Sequence, residues 1–521
     1  MAQRSLARVV MVQGTASSVG KSVLVTGLCR LFRQAGYRVA PFKAQNMALN
    51  SFATPDGREI GRSQAVQAAA AGVAPAVEMN PILLKPEAGG RSQVVLLGKP
   101  VSTEDPAEYA RRYAERWEIV TQSLDTLRSA YDVVVIEGAG SPAEVNLRER
   151  DIVNMRVARY AQAPVLLVGD IDRGGVLAAL VGTIELLEPD EQALVRGFVI
   201  SKFRGDVTLF RPALDFLQQR TGIPTLGVLP YYRDIRIADE DSVVLDERRI
   251  VDGETGATHL DIAIVRLPHI SNFDDFAPLD AEPSVRLRYV EQAADLGWPD
   301  ALIIPGSKST VADLRFLRAV RLDARIVGLA AAGVPVLGIC GGYQLLGERI
   351  LDPHGVESQE HETLGLGLLP VVTTFATEKR TRQVRVRATA GHGPLAVARG
   401  ADFSAYEIHM GYSQAVPGTR AERLTPFSVM DGEACYADGC LSTSGTIIGT
   451  YLHGLFQDWP VRHALITWLA RQRGLAAQLT AATPAMTTPE EQYDRLADLL
   501  RSHLDVPALF GLVGLAPPTG R

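Results

Sequence analysis

The sequence VVMVQGTASSVGKS at residues 9–22 decides the fold of the first half of the chain. Its first four residues are apolar and predict a buried strand, and the stretch Ser22–Ala35 that follows predicts a helix. Backbone N–H groups in a glycine-rich loop between a strand and a helix point towards a phosphate, and the positive end of the helix dipole adds to the attraction. The segment therefore predicts a phosphate-binding loop in an α/β domain.

The end of this loop carries the residues expected to contact a nucleotide. Lys21 is expected to reach the β- and γ-phosphates, and the Ser22 hydroxyl is expected to bind Mg²⁺. The spacing departs from GxxxxGK[ST], because Gly14 lies one residue early and Thr15 occupies the usual position of the first glycine. A plain strand–helix turn would leave the lysine unexplained. We therefore predict ATP and Mg²⁺ as cofactors, with these ATP-binding residues: Gly14, Thr15, Gly20, Lys21 and Ser22.

Short β-branched runs alternate with longer helical stretches along the whole chain, which is typical of parallel α/β sheets. The runs lack polar alternation, as expected for strands buried on both faces. A charged, glycine-containing segment separates two such series, so we predict α/β domains at residues 1–245 and 259–521 joined by a linker at 246–258. The predicted strands are Val9–Val12, Tyr131–Ile136, Pro164–Val168, Gly197–Ile200, Thr225–Leu229, Leu260–Val265, Ala301–Ile304, Val334–Ile339 and Thr446–Thr450.

Two segments of the second domain depart from this alternation. The segment Ser358–Ala434 contains shorter β-rich pieces and predicts an antiparallel insertion. The stretch Pro489–Leu504 has apolar residues at helical spacing, and we expect a helical tail that packs on the second domain rather than a membrane anchor.

The composition excludes several classes of protein. The chain has 521 residues, of which 46% are hydrophobic and 21% charged, as in ordinary globular proteins. Its net charge of −6 argues against a nucleic-acid partner, and no apolar run is long enough to span a membrane. No export signal is visible, and only four cysteines occur, so we expect a protein of the reducing cytoplasm.

A second motif, GVPVLGICGGYQLLG at residues 333–347, predicts a cysteine nucleophile. It has the pattern of a buried strand, a sharp turn and a helix, and small residues around Cys340 allow a strained turn that exposes the thiol. The helix dipole stabilises the thiolate, and the Gly341 N–H can help to bind an oxyanion. The loop PGSKST would supply a second oxyanion donor from Gly306 or Ser307. His453 ends another apolar strand and is the best-placed general base.

This set of residues resembles the class I glutamine amidotransferases, which hydrolyse glutamine to glutamate and ammonia. The resemblance implies a Cys340/His453 pair. Most members carry a glutamate two residues after the histidine to orient its ring, but this chain has Leu455 there. The third member of the site stays open, with Glu407 in YEIHMG as one candidate.

The longer spacing of the phosphate loop resembles dethiobiotin synthetase and its relatives, which activate a carboxylate with ATP. The resemblance implies that Lys43 lies near the substrate carboxylate. It also implies that Glu59 and Glu137 join Ser22 as magnesium ligands, and an oxygen-rich shell of this kind suits Mg²⁺.

The segment GDIDRGG at residues 169–175 follows a strand at the edge where open α/β sheets bind ligands. Asp170 and Asp172 are therefore candidates for substrate or metal binding, and the alternative is a structural turn. Ser201 and Lys202 follow the next strand and could flank an adenine, although relatives usually carry Asn where this chain has Ser201.

The order of the two domains resembles the corrinoid amidases of cobalamin biosynthesis. Further strings cover nearly the whole chain and resemble the cobyric acid synthase family in particular. The resemblance implies ATP- and glutamine-dependent amidation of carboxylates b, d, e and g of adenosylcobyrinic acid a,c-diamide. Its partners would be the corrinoid and L-glutamine, with a homodimer as a candidate assembly. The strings are FKAQNMALNS, EMNPILLKP, GDIDRGG, SKFRGD, LPHISNFDDF and PGSKST.

Three alternatives remain at this point. The cobyrinic acid a,c-diamide synthases share the architecture, but SKFRGD and LPHISNF favour the later enzyme. A CTP-forming type of synthetase disagrees with the first domain. A partition- or septum-type ATPase switch would not need the pair of Cys340 and His453.

Overall fold

The computed structural model describes residues 6–232, 235, 237, 259–419, 424–431, 434–475 and 488–517. Residues 246–258, where the linker was predicted, lie outside them. The first domain is built on a six-stranded parallel sheet in the order β12-β11-β10-β1-β9-β2. The strands of this domain are β1 (Arg8–Gly14), β2 (Val39–Phe42), β3 (Gln45–Met47), β4 (Ser51–Ala53), β5 (Glu59–Gly61), β6 (Ile82–Pro86), β7 (Ser92–Leu96), β8 (Lys99–Glu104), β9 (Val133–Glu137), β10 (Val165–Asp170), β11 (Val195–Phe203) and β12 (Thr225–Pro230).

Strand β1 lies between β9 and β10, so the phosphate loop emerges at the middle of the carboxyl edge of the sheet. Both faces of this sheet are covered, which explains why its strands are continuous apolar runs. The helices of this domain are α1 (Lys21–Gln34), α2 (Arg62–Ala71), α3 (Pro106–Arg111), α4 (Tyr113–Ala130), α5 (Met155–Ala161), α6 (Val176–Leu186), α7 (Pro189–Gln192) and α8 (Val207–Thr221).

Between β2 and β9 the chain forms elements that the sequence did not predict. A four-stranded sheet has the order β3-β6-β7-β8, and β4 pairs with β5 in a short hairpin. These strands are only three to six residues long, so their patterns are too short to identify by periodicity. The hairpin leads directly into α2, and both face the second domain.

The second domain contains a six-stranded sheet in the order β15-β13-β16-β18-β26-β25, parallel except for the edge strand β25. This parallel sheet confirms the predicted α/β class. Its strands and the neighbouring short ones are β13 (Leu260–Val265), β14 (Ile270–Ser271), β15 (Val285–Val290), β16 (Ala301–Ile304), β17 (Gly306–Ser307), β18 (Val336–Ile339), β25 (Cys440–Leu441), β26 (Ile447–Thr450) and β27 (Leu452–His453). Its helices are α9 (Ala277–Asp280), α10 (Ala293–Leu296), α11 (Thr310–Ala319), α12 (Leu322–Ala331), α13 (Gly341–Leu346) and α14 (Trp459–Gln472).

A largely antiparallel sheet occupies the predicted insertion. Its centre is the long pair β21·β22, which extends towards the first domain, and β22 also pairs with β27. Strand β19, which precedes the predicted insertion, pairs parallel to β21. The strands are β19 (Arg349–Leu351), β20 (Glu362–Leu364), β21 (Val371–Ala388), β22 (Asp402–Ala415), β23 (Phe427–Asp431) and β24 (Ala434–Asp438).

The C-terminal helices α15 (Pro489–His503) and α16 (Val506–Val513) pack on the first domain, so the predicted packing of the tail on the second domain is wrong. Leu500 and Leu496 of α15 lie against Gly27 of α1, where a side chain would collide with them. Arg30 of α1 adds ion pairs to two acids of α15 at 2.6 and 2.7 Å. The sequence correctly predicts the apolar face of α15. Helical spacing alone does not indicate which domain that face packs against. None of the helices in the described parts of the chain is long and apolar enough to cross a membrane.

Candidate active site

The phosphate loop closes around the side chain of Lys21. The Lys21 Nζ donates hydrogen bonds to the carbonyl oxygens of Ala16 at 2.8 Å and Gly140 at 3.1 Å. Gly14 is needed because a Cβ at that position would collide with Val19 and approach Lys21. Gly20 has a φ of +98°, a conformation that favours glycine, and it directly precedes α1. The lysine therefore lies inside the loop, where a bound phosphate would meet it.

Glu137, at the end of β9, brings three of the predicted residues together. Its carboxylate is buried and accepts hydrogen bonds from the Ser22 hydroxyl at 2.7 Å and the Lys43 Nζ at 3.0 Å. Gln67 of α2 donates a third at 2.5 Å, a contact that the sequence did not suggest. Burial raises the pKa of Glu137, but Lys43 and these hydrogen bonds outweigh it and lower the pKa below its usual value. The acid is therefore held as a carboxylate beside the loop.

Glu59 lies elsewhere, at the interface between the two domains. Its carboxylate accepts hydrogen bonds from the Ser51 hydroxyl at 2.6 Å, from Lys85, and from Lys379 of the second domain at 2.5 Å. Burial raises the pKa of Glu59, but the two lysines outweigh it and hold the pKa far below its usual value. These contacts explain why Glu59 is held as a buried carboxylate, and its predicted role as a magnesium ligand stays a prediction. Its two oxygens neutralise the two lysines.

Asp170 ends β10 next to the phosphate loop. Lys202 donates one hydrogen bond to its carboxylate at 2.8 Å and another to the Ser18 carbonyl of the loop at 2.9 Å. Asp172 turns away and pairs with Arg204 at 2.9 Å on the exposed side. Asp170 therefore supports the loop through Lys202. The exposed ion pair of Asp172 is typical of a structural turn, which was the alternative interpretation. Their predicted roles in substrate binding stay predictions.

Ser201 also supports the loop. Its hydroxyl donates to the Val19 carbonyl at 2.7 Å and lies 3.2 Å from the Gly169 carbonyl. The suggested contact with an adenine stays a prediction.

Cys340 occupies a strained turn between β18 and α13. Its φ of 51° with a ψ of −108° is unusual for a residue with a side chain. The following Gly342 is required because a Cβ there would strike the Ile304 carbonyl, and the Cys340 N–H is held by the Thr450 carbonyl at 2.8 Å. This is the nucleophile turn that the sequence predicted.

His453 lies beside Cys340 and is oriented by Asp275. The His453 Nδ1 is 2.6 Å from the Asp275 carboxylate, whose other oxygen accepts from the Gly454 N–H at 2.8 Å. The Cys340 thiol lies near this ring and donates a hydrogen bond to the Ile408 carbonyl at 3.5 Å. Burial lowers the pKa of His453, but Asp275 and Cys340 outweigh it and raise the pKa to about 10. At neutral pH the ring is therefore an imidazolium beside the Cys340 side chain.

Asp275 is the functional residue that the sequence reasoning missed. It lies in a short turn, Phe273–Phe276, and is 178 residues distant from His453 in the chain. It lies in the string LPHISNFDDF, whose resemblance to the family is the one signal in the sequence that could have pointed to this acid. The earlier candidate Glu407 is instead bound by Arg382 at 2.7 Å and Tyr436 at 2.8 Å. Leu455 is buried in the apolar core.

The proposed oxyanion donors lie close together. A Cβ on Gly341 would be only 2.7 Å from the Ser307 backbone nitrogen, so the two backbones are in direct contact. Gly306 is similarly restricted, because a Cβ there would approach Ser271 and the His453 ring. The Ser307 hydroxyl donates to Asp313 at 2.6 Å, which fixes the loop. The backbones of Gly341 and Ser307 thus meet beside the cysteine, and their role as oxyanion donors stays a prediction.

A cavity of about 50 Å³ lies in front of Cys340 and receives side chains from both domains. Glu357 contributes a buried carboxylate oxygen with no hydrogen-bond partner among the described residues, and burial raises the pKa of Glu357 to about 8. Burial lowers the pKa of His409 to about 4, so this ring is neutral, and its Nδ1 lies 2.9 Å from the Gly411 carbonyl. The polar residues around the cavity are Ser51, Lys85, Gln93, Ser271, Asn272, Ser307, Lys308, Cys340, Gln344, Glu357, Lys379, His409 and His453.

These two sites define the class of protein: a nucleotide-binding α/β domain joined to a cysteine-dependent amidotransferase domain. Two family models match the chain accordingly. Residues 10–244 match the CobQ/CobB/MinD/ParA nucleotide binding domain, and residues 261–460 match the CobB/CobQ-like glutamine amidotransferase domain.

Curated relatives extend the match to nearly the full chain. A cobyric acid synthase of Sorangium cellulosum is 53% identical over 97% of this chain and 98% of its own length. Those of Moorella thermoacetica and Desulfitobacterium hafniense are 51% and 49% identical, with at least 98% of both chains covered. The chain belongs to the cobyric acid synthase family. It is an amide ligase with a glutamine amidotransferase domain.

Proposed function

We propose that this enzyme makes cobyric acid by amidating carboxylates b, d, e and g of adenosylcobyrinic acid a,c-diamide, using glutamine and ATP. The single observation that carries the proposal is the arrangement of Cys340, His453 and Asp275, which suits glutamine hydrolysis and lies in the same chain as the Lys21 phosphate loop. The choice of substrate is supported by the relatives described above, which are 49–53% identical over nearly the full chain and are named cobyric acid synthase.

Glutamine hydrolysis follows from the charges in the second domain. The Cys340 thiolate attacks the side-chain carboxamide carbon, and N–H groups of Gly341 and Ser307 stabilise the oxyanion. His453 then donates its proton to the departing nitrogen, so that the C–N bond breaks and ammonia leaves. Water cleaves the resulting thioester, with His453 accepting the proton and Asp275 holding the ring. Glutamate is released and the thiolate is restored.

Carboxylate activation belongs to the first domain. Lys21 and the loop N–H groups are suited to bind the phosphates of ATP. Lys43, which donates to Glu137, is suited to bind the substrate carboxylate. The Ser22 hydroxyl and the Glu137 carboxylate fit Mg²⁺, because both are hard oxygen ligands already 2.7 Å apart. When bound, the ion would neutralise phosphate charge. The carboxylate takes the γ-phosphoryl group, and ammonia displaces phosphate from the acyl phosphate to give the amide.

The test is a reaction with purified full-length protein, ATP, Mg²⁺, glutamine and each of two corrinoids, read by mass spectrometry. Adenosylcobyrinic acid a,c-diamide should be converted stepwise from carboxylic acids to carboxamides. Cobyrinic acid without amides should react poorly. Preferential amidation of cobyrinic acid at positions a and c would contradict the proposal and favour the earlier enzyme. Cys340→Ala is the control: it should lose activity with glutamine and keep it with ammonium salts.

A further inference from the structure

The turn that carries Asp275 is held by the first domain. The Ser51 N–H donates to the Asn272 side chain at 3.1 Å, and the Phe273 N–H donates to the Asn50 side chain at 3.3 Å. All of these atoms are buried. The acid of the glutamine-hydrolysing site therefore depends on contacts with the nucleotide-binding domain.

Arg62, the first residue of α2, makes the charged contact with this turn. Its Nε lies 2.7 Å from the carboxylate of Asp274, the residue directly before Asp275. The Arg62 N–H is not aimed at the carboxylate, so the contact is an ion pair rather than an aligned hydrogen bond. Only 2% of the Asp274 side chain is exposed, and a buried carboxylate needs a nearby cation. Without Arg62, Asp274 would have to move or take up a proton.

A second path leads from Arg62 to the other side of the site. The Arg62 guanidinium lies over the ring of Phe52, 4.9 Å from its centre. Phe52 contacts Tyr406 with ring centres 5.0 Å apart, and Tyr406 stacks on His453 at 5.3 Å. One arginine thus supports both members of the Asp275–His453 pair.

The same helix reaches the phosphate site. Gln67 lies five residues after Arg62 on α2 and donates to Glu137, which also accepts from Ser22 of the loop. Helix α2 is therefore in contact with both active sites.

We infer that Arg62 is a positioning residue through which the nucleotide-binding domain orients the Asp275–His453 pair for glutamine hydrolysis. The inference rests on the proposed function of Cys340 and His453. Arg62 acts through Asp274 and Phe52. It lies on α2, whereas Cys340 lies before α13. A side chain of the nucleotide-binding domain thus supports the amidotransferase site from outside it.

The test compares full-length Arg62→Ala and Arg62→Lys with Arg58→Ala as the matched control. Arg58 belongs to the same segment, and its guanidinium donates a hydrogen bond to Asp56 of the first domain at 2.7 Å. Displacement of a catalytic group by up to one ångström lowers the rate by up to about 100-fold. We therefore expect kcat for glutamine hydrolysis in Arg62→Ala to fall about 10- to 100-fold. The KM for glutamine should change much less. Arg62→Lys should recover part of the loss, and Arg58→Ala should match wild type.

Two further readouts separate positioning from general damage. Ammonia-dependent amidation should stay near the wild-type rate in Arg62→Ala, because the phosphate site does not need the thiolate. The pH at which iodoacetamide labels Cys340 half-maximally should move upward. If Arg62→Ala does not fold, Arg62→Gln and Arg62→Lys make the same comparison of neutral and charged side chains.

Unchanged glutamine hydrolysis in folded Arg62→Ala would overturn the inference. An equal loss of glutamine- and ammonia-dependent amidation would also overturn it, because Arg62 would then serve the first domain as a whole. Failure of the proposed function looks different: wild-type protein would show no glutamine hydrolysis that depends on Cys340.

Discussion

Asp275 and Cys340 both act on the charge of His453, which makes this histidine the most informative single residue. In Asp275→Asn the carboxylate is lost while burial remains, so the pKa of His453 should fall from about 10 towards or below its ordinary value of 6.5. The imidazolium would then be absent at neutral pH. We expect a loss of glutamine hydrolysis of about 10²- to 10⁴-fold, as for other general acid–base groups.

The same substitution makes a prediction about stability. A histidine whose pKa is raised in the folded state stabilises it fully below the unfolded value of 6.5 and loses this effect as the pH rises through about 10. The difference in free energy of unfolding between wild type and Asp275→Asn should therefore be largest near pH 6 and shrink towards pH 10. Urea unfolding over this range measures it. Glu407→Gln is the control, because Glu407 is also a buried acid but contacts other groups. A free-energy difference between wild type and Asp275→Asn that grows with pH would contradict the proposed pairing of Asp275 with a protonated His453.

Lys21 gives the corresponding prediction for the phosphate site. Its ammonium group would stabilise charge on the phosphoryl group in transfer, so Lys21→Ala should lower amidation from both glutamine and ammonia by about 10²- to 10³-fold. Glutamine hydrolysis by itself should continue. Lys202→Ala, which removes a support of the loop rather than the phosphate contact, should have a smaller effect. Near-wild-type amidation with ammonia in Lys21→Ala would show that the loop does not bind the reacting phosphate.

At the scale of elements, the C-terminal helix α15 belongs to the phosphate-binding half. Leu500 is fully buried against α1, and Leu499 is half-buried. Leu500→Ala should lower the free energy of unfolding by about 2–5 kcal/mol, and Leu499→Ala should cost clearly less. Because α1 begins at Lys21, ammonia-dependent amidation should be lost at a lower urea concentration than in wild type. An equal loss of unfolding free energy in the two variants would contradict the packing of α15 on α1.

At the scale of the whole molecule, Lys379 connects the domains through Glu59. The Glu59 side chain is fully buried, only 7% of the Lys379 side chain is exposed, and Lys85 also contacts Glu59. Loss of one partner of a buried ion pair costs about 3–5 kcal/mol when the other charge is left alone, so Lys379→Met should cost less than that because Lys85 remains. Lys99→Met, on an exposed strand of the first domain, is the control. Urea unfolding measures both, and equal stability of the two variants would mean that the interface ion pair contributes nothing.

The sequence by itself was enough to select the phosphate loop, the strands around it, Cys340 and His453. Each of these depends on neighbours in the chain: a glycine loop between a strand and a helix, or a polar residue at the end of an apolar strand. The class of both domains followed from the same local patterns, and the family models confirm it. Helical spacing likewise identified the apolar face of α15.

The tertiary structure alone decided which distant groups meet. Asp275 reaches His453 across 178 residues, Glu59 meets Lys379 across 320, and α15 returns to pair with Arg30 across more than 450. Nothing in the local sequence of Asp275 or Glu59 tells which carboxylate faces a histidine and which faces two lysines. Those partners are selected by the packing of the two domains, because a buried charge is stable only where the folded chain supplies its counter-charge.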